Sequence, residues 1–290
     1  MTAPGREIGS VAVLGAGTMG HGIAQVCAGA GCRVALYDID DVAVGRGMDR
    51  IRGNLDKGVE LGKVPAEERD ATLARLRGTI SIADACAGVD LVIEAAPESL
   101  ELKASIFAQV DAAAPDHALL ASNTSSLSIE AIARSVANPA RFLGLHFFNP
   151  VHIMKLVEVV WGPDTSDATR LAGIAFVRRL EKEPVVVKDA PGFASSRLGI
   201  VLGMEAIRMV EEGVASAQDI DRAMELGYRH PMGPLKLTDL VGLDVRLGIA
   251  EYLYETLDSE AFRPPELLRR MVAEGKLGKK SGQGFYDWSE

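Results

Sequence analysis

Residues 11–20 read Val11-Ala12-Val13-Leu14-Gly15-Ala16-Gly17-Thr18-Met19-Gly20, so a short apolar run passes directly into a GxGxxG pattern. The apolar run is typical of a buried strand, and residues 18–30 continue as a predicted helix that ends before Gly31. The first glycine permits a tight turn, the second lets the backbone approach a pyrophosphate, and the third allows close packing of helix on strand. This pattern is weak alone, but a strand before it and a helix after it predict a dinucleotide site.

Asp38 follows a second predicted strand, Arg33–Tyr37, at about the distance from the glycines at which a ribose-binding acid occurs. A carboxylate there can accept hydrogen bonds from the ribose of NAD, and it would repel the 2′-phosphate of NADP. No arginine follows among the next three residues, which are Ile39, Asp40 and Asp41. We therefore predict NAD as the cofactor; the alternative is a glycine turn beside a surface aspartate.

Strand and helix patterns alternate as far as Asp189. Further strands are predicted at 91–93, 118–121, 142–148, 156–160 and 185–187, with a glycine-broken helix over 40–61 and another helix over 65–76. Such alternation indicates βαβ units and a mostly parallel sheet. Downstream of Asp189-Ala190-Pro191-Gly192 only helical patterns remain. We predict an α/β, Rossmann-type domain over residues 1–189, followed by a smaller all-helical domain over 190–290.

Local signals place the helices of the second part. Gly213 is predicted to end its first helix, and Ser216 to cap the next. Pro234 and Pro265 are predicted to open two more, because proline suits the first helical position.

Composition limits the possible partners and compartments. The 290-residue chain carries a net charge of −9, which disfavours nucleic acid as a partner. Its three cysteines, Cys27, Cys32 and Cys86, show no CxxC spacing, and core filler in a reduced compartment is their predicted role. Neither a signal peptide nor a membrane span is expected. We predict a cytoplasmic protein without a membrane partner.

One histidine and one glutamate lie in neighbouring predicted strands. His146 ends an apolar run that starts at Leu143, and Glu158 lies inside Lys155-Leu156-Val157-Glu158-Val159-Val160. A buried carboxylate needs a partner, and an imidazole that it orients could remove a proton through its second nitrogen. The alternative is an exposed edge strand with a solvated glutamate and an unrelated histidine. The predicted dinucleotide site favours the pair, since oxidation of an alcohol needs a base.

These motifs resemble the 3-hydroxyacyl-CoA dehydrogenase family, including its bacterial 3-hydroxybutyryl-CoA dehydrogenases, over nearly the whole chain. The resemblance rests on residues 15–20, 122–126, 146–150, 155–159, 189–193, 230–234 and 278–286. It implies that a short-chain (3S)-3-hydroxyacyl-CoA is oxidised to the 3-oxoacyl-CoA, with NAD as the hydride acceptor. A dehydrogenase of a free hydroxy or sugar acid and a non-enzymatic NAD-binding protein are the alternatives.

The resemblance also implies residue roles. His146 would be the base and Glu158 its partner, while Ser125 and Asn149 would contact the 3-oxygen or the thioester. NAD would be contacted by Gly15, Gly17, Thr18, Met19, Gly20, Asp38, Ala95, Glu98, Lys103 and Asn123. Asn54 and Lys57 would lie near the phosphates of coenzyme A, although a solvated helix face explains them equally well. The helical domain would form a homodimer.

Ser196 departs from the family pattern. It lies in Gly192-Phe193-Ala194-Ser195-Ser196-Arg197, at the position where the family has an asparagine that contacts the substrate. A hydroxyl is shorter than an amide and can both donate and accept. We expect Ser196 to contact the substrate and to alter the preferred acyl group, without changing the hydride chemistry.

Overall fold

The computed structural model describes residues 7–289. The described residues form two compact units, the first ending at Asp189 and the second beginning at Ala190. The predicted fold class, a Rossmann-type domain followed by a helical one, is confirmed. Among the described residues, no helix has both the length and the apolar character needed to cross a bilayer.

One eight-stranded sheet organises the described part of the first unit. The strands are β1 Ser10–Leu14, β2 Arg33–Tyr37, β3 Leu76–Thr79, β4 Leu91–Glu94, β5 Leu119–Ser122, β6 Phe142–Phe147, β7 Leu156–Trp161 and β8 Glu183–Lys188. Their order is β3-β2-β1-β4-β5-β6-β7-β8, and every neighbouring pair is parallel except β6 with β7. The strand order reverses between β1 and β4, and a crevice at the carboxyl ends of strands is the usual ligand site at such a point.

Seven helices accompany these strands in the described residues. They are α1 Gly20–Gly29, α2 Asp41–Glu60, α3 Ala66–Ala74, α4 Ile82–Cys86, α5 Leu100–Ala113, α6 Ile129–Ala133 and α7 Asp167–Arg179. The central strands β1, β4, β5 and β6 are buried along their whole length. Burial on both faces accounts for their mostly apolar sequences. Cys27, Cys32 and Cys86 are buried thiols, as predicted.

Two predictions for this unit were wrong. The helix over 40–61 is not broken by its glycines, since α2 is continuous and Asp40 caps it by accepting from the Ala43 N–H. Gly47 in this helix serves packing, because a Cβ there would lie 2.7 Å from the Cβ of Ala16 in the glycine turn. The next helix does not reach residue 76, where β3 begins instead.

The described part of the second unit is helical. Its α-helices are α8 Ser195–Glu211, α9 Ala217–Tyr228, α10 Pro234–Val241, α11 Leu243–Leu257 and α12 Glu266–Ala273. The predicted helix signals are confirmed: Gly213 has a φ of +70° after α8, Ser216 caps α9, Pro234 opens α10 and Pro265 precedes α12. The core includes Ile200, Met204, Ile207, Leu235, Leu243, Leu253 and Leu268.

Candidate active site

The glycine turn after β1 is tightly packed on its inner side. Gly15 has a φ of +103°, and a Cβ there would lie 2.7 Å from the carbonyl oxygen of Ala95. A Cβ on Gly20 would lie 1.6 Å from the carbonyl oxygen of Gly15. Larger residues at either position would force the turn away from the loop after β4 or from α1, so glycine is required at both.

The outer side of the same turn is open. Gly17 and Thr18 are exposed, and a Cβ on Gly17 would meet no atom within 4 Å. The second glycine is therefore not required by contacts within the described residues, and it leaves the backbone accessible beside the amino end of α1. Backbone N–H groups and the positive end of a helix dipole bind phosphate well. This arrangement fits the pyrophosphate of a dinucleotide.

Asp38 fixes the glycine turn from the carboxyl end of β2. Its Oδ2 accepts a hydrogen bond from the Ala16 N–H at 2.7 Å, and its Oδ1 accepts from the Ile39 N–H at 2.7 Å. A carboxylate has about four acceptor sites, so these two bonds leave capacity for ribose hydroxyls. The glycine turn and this acid together fit NAD.

His146 and Glu158 are direct partners in the antiparallel register of β6 and β7. Nδ1 of the imidazole lies 2.8 Å from Oε2 of the carboxylate, and the two residues are 7% and 1% exposed. The predicted contact is therefore confirmed. The alternative of a solvated glutamate on an edge strand is wrong, because β8 covers the far side of β7. The pair has the geometry of a proton-transferring imidazole held by a carboxylate.

The loop after β5 reaches both the strand of the histidine and the loop after β4. Oδ1 of Asn123 accepts from the Phe147 N–H at 2.9 Å, which fixes the end of β6 next to His146. Ser125 donates to Oε1 of Glu98 through its N–H at 2.9 Å and through its hydroxyl at 3.1 Å. Asn149 is exposed just beyond β6. The strand ends thus bring polar groups from three segments to one edge of the sheet.

Glu98 receives several hydrogen bonds on one oxygen. Besides the two from Ser125, Oε1 accepts from the Thr124 hydroxyl at 2.6 Å. Burial acts to raise the pKa of Glu98, but Lys103 and these hydrogen bonds outweigh it and hold the pKa below its ordinary value. Glu98 is therefore an anion at neutral pH, and it orders the serine-rich loop.

Lys103 lies almost fully buried behind this carboxylate. Its Nζ is 2.7 Å from Oε1 of Glu94 and 3.5 Å from Oε2 of Glu98. Glu94 also accepts from the Ser122 hydroxyl at 2.6 Å and from the Ala96 N–H at 2.6 Å. Sequence reasoning missed Glu94, because the predicted strand ended at residue 93. The available signal was a carboxylate at the end of an apolar run, nine residues before a lysine.

The residues predicted near coenzyme A and the acyl group are more dispersed. Nδ2 of Asn54 donates to Oε1 of Gln25 at 3.1 Å. Lys57 lies 3.0 Å from Glu60, and both side chains are 65% exposed. Ser196 is partly buried in the first turn of α8. Their predicted roles, like those of the other site residues, stay predictions.

Comparison with known proteins gives a consistent assignment. A family model described as "3-hydroxyacyl-CoA dehydrogenase, NAD binding domain" matches residues 10–190, and the C-terminal domain model of the same dehydrogenase matches residues 192–288.

Curated relatives and a solved structure share this similarity. The chain is 44% identical to a 3-hydroxybutyryl-CoA dehydrogenase of Mycobacterium tuberculosis, covering 96% of this chain and 98% of the relative. It is 45% identical to a 3-hydroxyadipyl-CoA dehydrogenase of Escherichia coli, covering 97% of this chain and 59% of the relative. A crystal structure of (S)-3-hydroxybutyryl-CoA dehydrogenase from Ralstonia eutropha aligns with a TM-score of 0.93 at 43% identity, over 98% of this chain and 100% of that one.

Proposed function

The chain belongs to the 3-hydroxyacyl-CoA dehydrogenase family, and from this premise we propose that it oxidises a (3S)-3-hydroxyacyl-CoA to the 3-oxoacyl-CoA with NAD. The observation that carries the proposal is the buried contact of 2.8 Å between His146 and Glu158. It lies on the sheet that also carries the glycine turn and Asp38. A base and a dinucleotide site are the two requirements for oxidising an alcohol by hydride transfer.

His146 is the proposed base. Because Nδ1 contacts Glu158, a proton on Nδ1 leaves Nε2 as the atom that accepts the proton of the 3-hydroxyl group. Glu158 stabilises the imidazolium that forms and keeps the ring in this tautomer. NAD, which the glycine turn and Asp38 would hold, would supply the hydride acceptor for C3. A positioned base contributes about 10²–10⁴-fold, and orientation of the reactants contributes much of the remaining acceleration.

The neighbouring polar residues have proposed binding roles. Ser125 and Asn149 contact the 3-oxygen or the thioester, with Ser125 held by Glu98, and Ser196 contacts the acyl group. Glu98 and Asn123 contact NAD together with the backbone near Ala95. Lys103 is 1% exposed, and its proposed role is to keep Glu98 charged and in position.

The acyl-CoA itself is proposed to be short, and 3-hydroxybutyryl-CoA is the substrate that the name of the Mycobacterium tuberculosis relative gives. Asn54 and Lys57 on α2 are proposed to meet the phosphates of coenzyme A. A lysine can bind a phosphate, although Lys57 here also forms an ion pair with Glu60.

A cytoplasmic homodimer is the proposed assembly. The second unit exposes large apolar side chains on several helices, among them Leu198, Leu226, Tyr228, Leu240 and Val245. Apolar surface of this kind favours a protein interface, and a closed dimer buries one such patch on both copies. The buried, unpaired thiols Cys27, Cys32 and Cys86 suit the reduced cytoplasm.

The function is tested by steady-state reduction of acetoacetyl-CoA, with NADH and NADPH assayed in parallel through nicotinamide absorbance. We expect fast oxidation of NADH and much slower oxidation of NADPH. A preference for NADPH would contradict the role of Asp38 but keep the reaction. Absence of turnover with acetoacetyl-CoA and with longer 3-oxoacyl-CoA esters would contradict the proposed function.

A further inference from the structure

Lys182 is a buried lysine just before β8, and the proposed reaction gives it no role. The residue is 6% exposed, and its Nζ donates to the carbonyl oxygens of Val151 at 2.6 Å and of Met154 at 2.7 Å. Burial and the charge of Lys155 lower the pKa of Lys182, and no carboxylate of the described residues counteracts them. Burial of an amino group is costly unless hydrogen bonds offset it, so these two bonds indicate a specific role for the lysine.

The two carbonyl groups belong to the loop that follows the strand of the proposed base. This loop comprises residues 150–154, and Asn149 lies directly before it, three residues after His146. Two N–H groups of the loop donate to the carbonyl oxygen of Pro150 at 2.9 Å, which closes a compact turn. Lys182 therefore holds a preformed turn that begins immediately after a residue of the candidate site.

The same loop packs on α1, the helix that begins at the end of the glycine turn. Val151 is 2% exposed, and a Cβ on Gly22 of α1 would lie 2.8 Å from the Cβ of Val151. The Cys27 thiol, further along α1, is within electrostatic range of Lys182. The lysine thus lies where the loop and α1 meet, so it contributes to the spacing between the helix of the glycine turn and the segment that carries Asn149.

We propose that Lys182 is a positioning residue for the reaction, which keeps Asn149 in place for the substrate by fixing the loop 150–154 against α1. This inference rests on the proposed function, in which Asn149 contacts the 3-oxygen or the thioester. Lys182 itself touches neither substrate nor cofactor in this proposal. Its effect on the rate follows from geometry, because a displacement of about 1 Å at a reacting group can cost about 10²-fold in turnover.

A purely structural lysine is the alternative, since its loss would leave two carbonyl groups without this donor. The two roles differ in what a variant changes. A structural role affects the stability of the fold and leaves kcat/KM of the folded protein unchanged. A positioning role lowers kcat/KM through Asn149, and a double-variant cycle detects whether two residues act together.

The test measures kcat/KM for acetoacetyl-CoA with NADH in Lys182→Met, in Asn149→Ala and in the double variant, at a temperature at which circular dichroism shows each protein folded. Methionine keeps an unbranched side chain and removes the donor. We expect Lys182→Met to lower kcat/KM by about 10- to 100-fold. The double variant should be about as slow as Asn149→Ala alone, because the lysine acts through the asparagine. The dissociation constant of NADH, from fluorescence titration, should stay unchanged.

Two further variants serve as rescue and control. Lys182→Arg keeps N–H donors at this position and should recover part of the lost kcat/KM. Lys155→Met removes an exposed lysine whose Nζ donates to the carbonyl oxygen of Glu181 at 3.3 Å, and it should leave kcat/KM unchanged.

Gly22→Ala gives a second test that does not require a variant at position 182 to fold. The added Cβ would press on Val151 while Lys182 stays in place. We expect this variant to lower kcat/KM, and to have no further effect when it is combined with Asn149→Ala.

Unchanged kcat/KM in folded Lys182→Met or in Gly22→Ala would overturn the inference. Losses from Lys182→Met and Asn149→Ala that multiply in the double variant would also overturn it, because the two residues would then act independently. If the unaltered protein reduces no 3-oxoacyl-CoA at all, the proposed function itself has failed, and the inference that rests on it fails as well.

Discussion

Glu94 and Lys103 form an ion pair in the interior of the first unit, with Nζ 2.7 Å from Oε1 and side-chain exposures of 0% and 1%. The pair joins the carboxyl end of β4 to the first turn of α5 at the point where the strand order reverses. Because Lys103 also lies 3.5 Å from Glu98, it connects the sheet with the acid that orders the serine-rich loop. The edge of the sheet that carries the candidate site is thus supported by buried charges.

Lys103→Met is expected to lower the free energy of unfolding by about 3–5 kcal/mol, because the change leaves Glu94 as a buried charge without its partner. Urea unfolding measures this loss. The double variant Glu94→Gln/Lys103→Met should recover part of it. The matched control is Lys57→Met, which breaks an exposed pair with Glu60 and should cost no more than about 1 kcal/mol. A loss at Lys103 as small as that of the control would show that the buried pair does not stabilise the fold.

His146→Gln is expected to lower turnover of a 3-hydroxyacyl-CoA by about 10²–10⁴-fold, since the amide cannot accept the proton. Binding of NAD, followed by fluorescence titration, should be unchanged. Glu158→Gln keeps the size of the side chain and removes its charge, so turnover should fall by about tenfold or more, the difference between a charged and a neutral hydrogen bond. Glu130→Gln alters a partly exposed glutamate that pairs with Arg134 and should have no effect. Near-normal turnover of His146→Gln would remove this residue from the role of base.

Local patterns predicted the parts of the fold that are buried on both sides. The runs that form β1, β4 and β6 are mostly apolar, and each predicted strand lies within one residue of the observed bounds at either end. β3 could not be found in the same way. Its sequence, Leu76-Arg77-Gly78-Thr79, lies at the edge of the sheet and is partly exposed, and its strand conformation depends on pairing with β2, which lies about 40 residues earlier in the chain.

The candidate site likewise has one part that the sequence could predict and one part that it could not. His146 and Glu158 could be paired from the sequence, because each lies in an apolar run and a buried charge needs a partner. The burial of Lys103 could not be predicted, since a lysine in the first turn of a helix is normally solvated. Its burial depends on how α5 packs beside the end of β4, and only the three-dimensional structure shows that its ammonium contacts Glu94.

Asp38→Asn is expected to reduce the preference for NADH over NADPH by about 10–100-fold. An amide keeps one acceptor for the Ala16 N–H, but it loses the charge that strengthens hydrogen bonds to ribose, an effect of about 1.5–3 kcal/mol, and that repels a 2′-phosphate. The measurement is kcat/KM for each cofactor with acetoacetyl-CoA. Asp40→Asn provides the control, because Asp40 carries the same charge two residues later and caps α2. Equal changes in both variants would mean that a general loss of negative charge, and not a contact at Asp38, sets the preference.

Leu226→Glu is expected to convert a homodimer into a monomer. Leu226 on α9 is 74% exposed and Tyr228 beside it is 75% exposed, and an interface formed by the same patch on both copies would receive two new buried charges from this one substitution. Light scattering at micromolar concentration should give twice the chain mass of 30.8 kDa for the unaltered protein and the single mass for the variant. Leu61→Glu introduces the same charge at an exposed leucine (56% exposed) in the first unit and should stay dimeric. A monomeric unaltered protein would contradict the homodimer, and a Leu226→Glu variant that stays dimeric would place the interface away from Leu226.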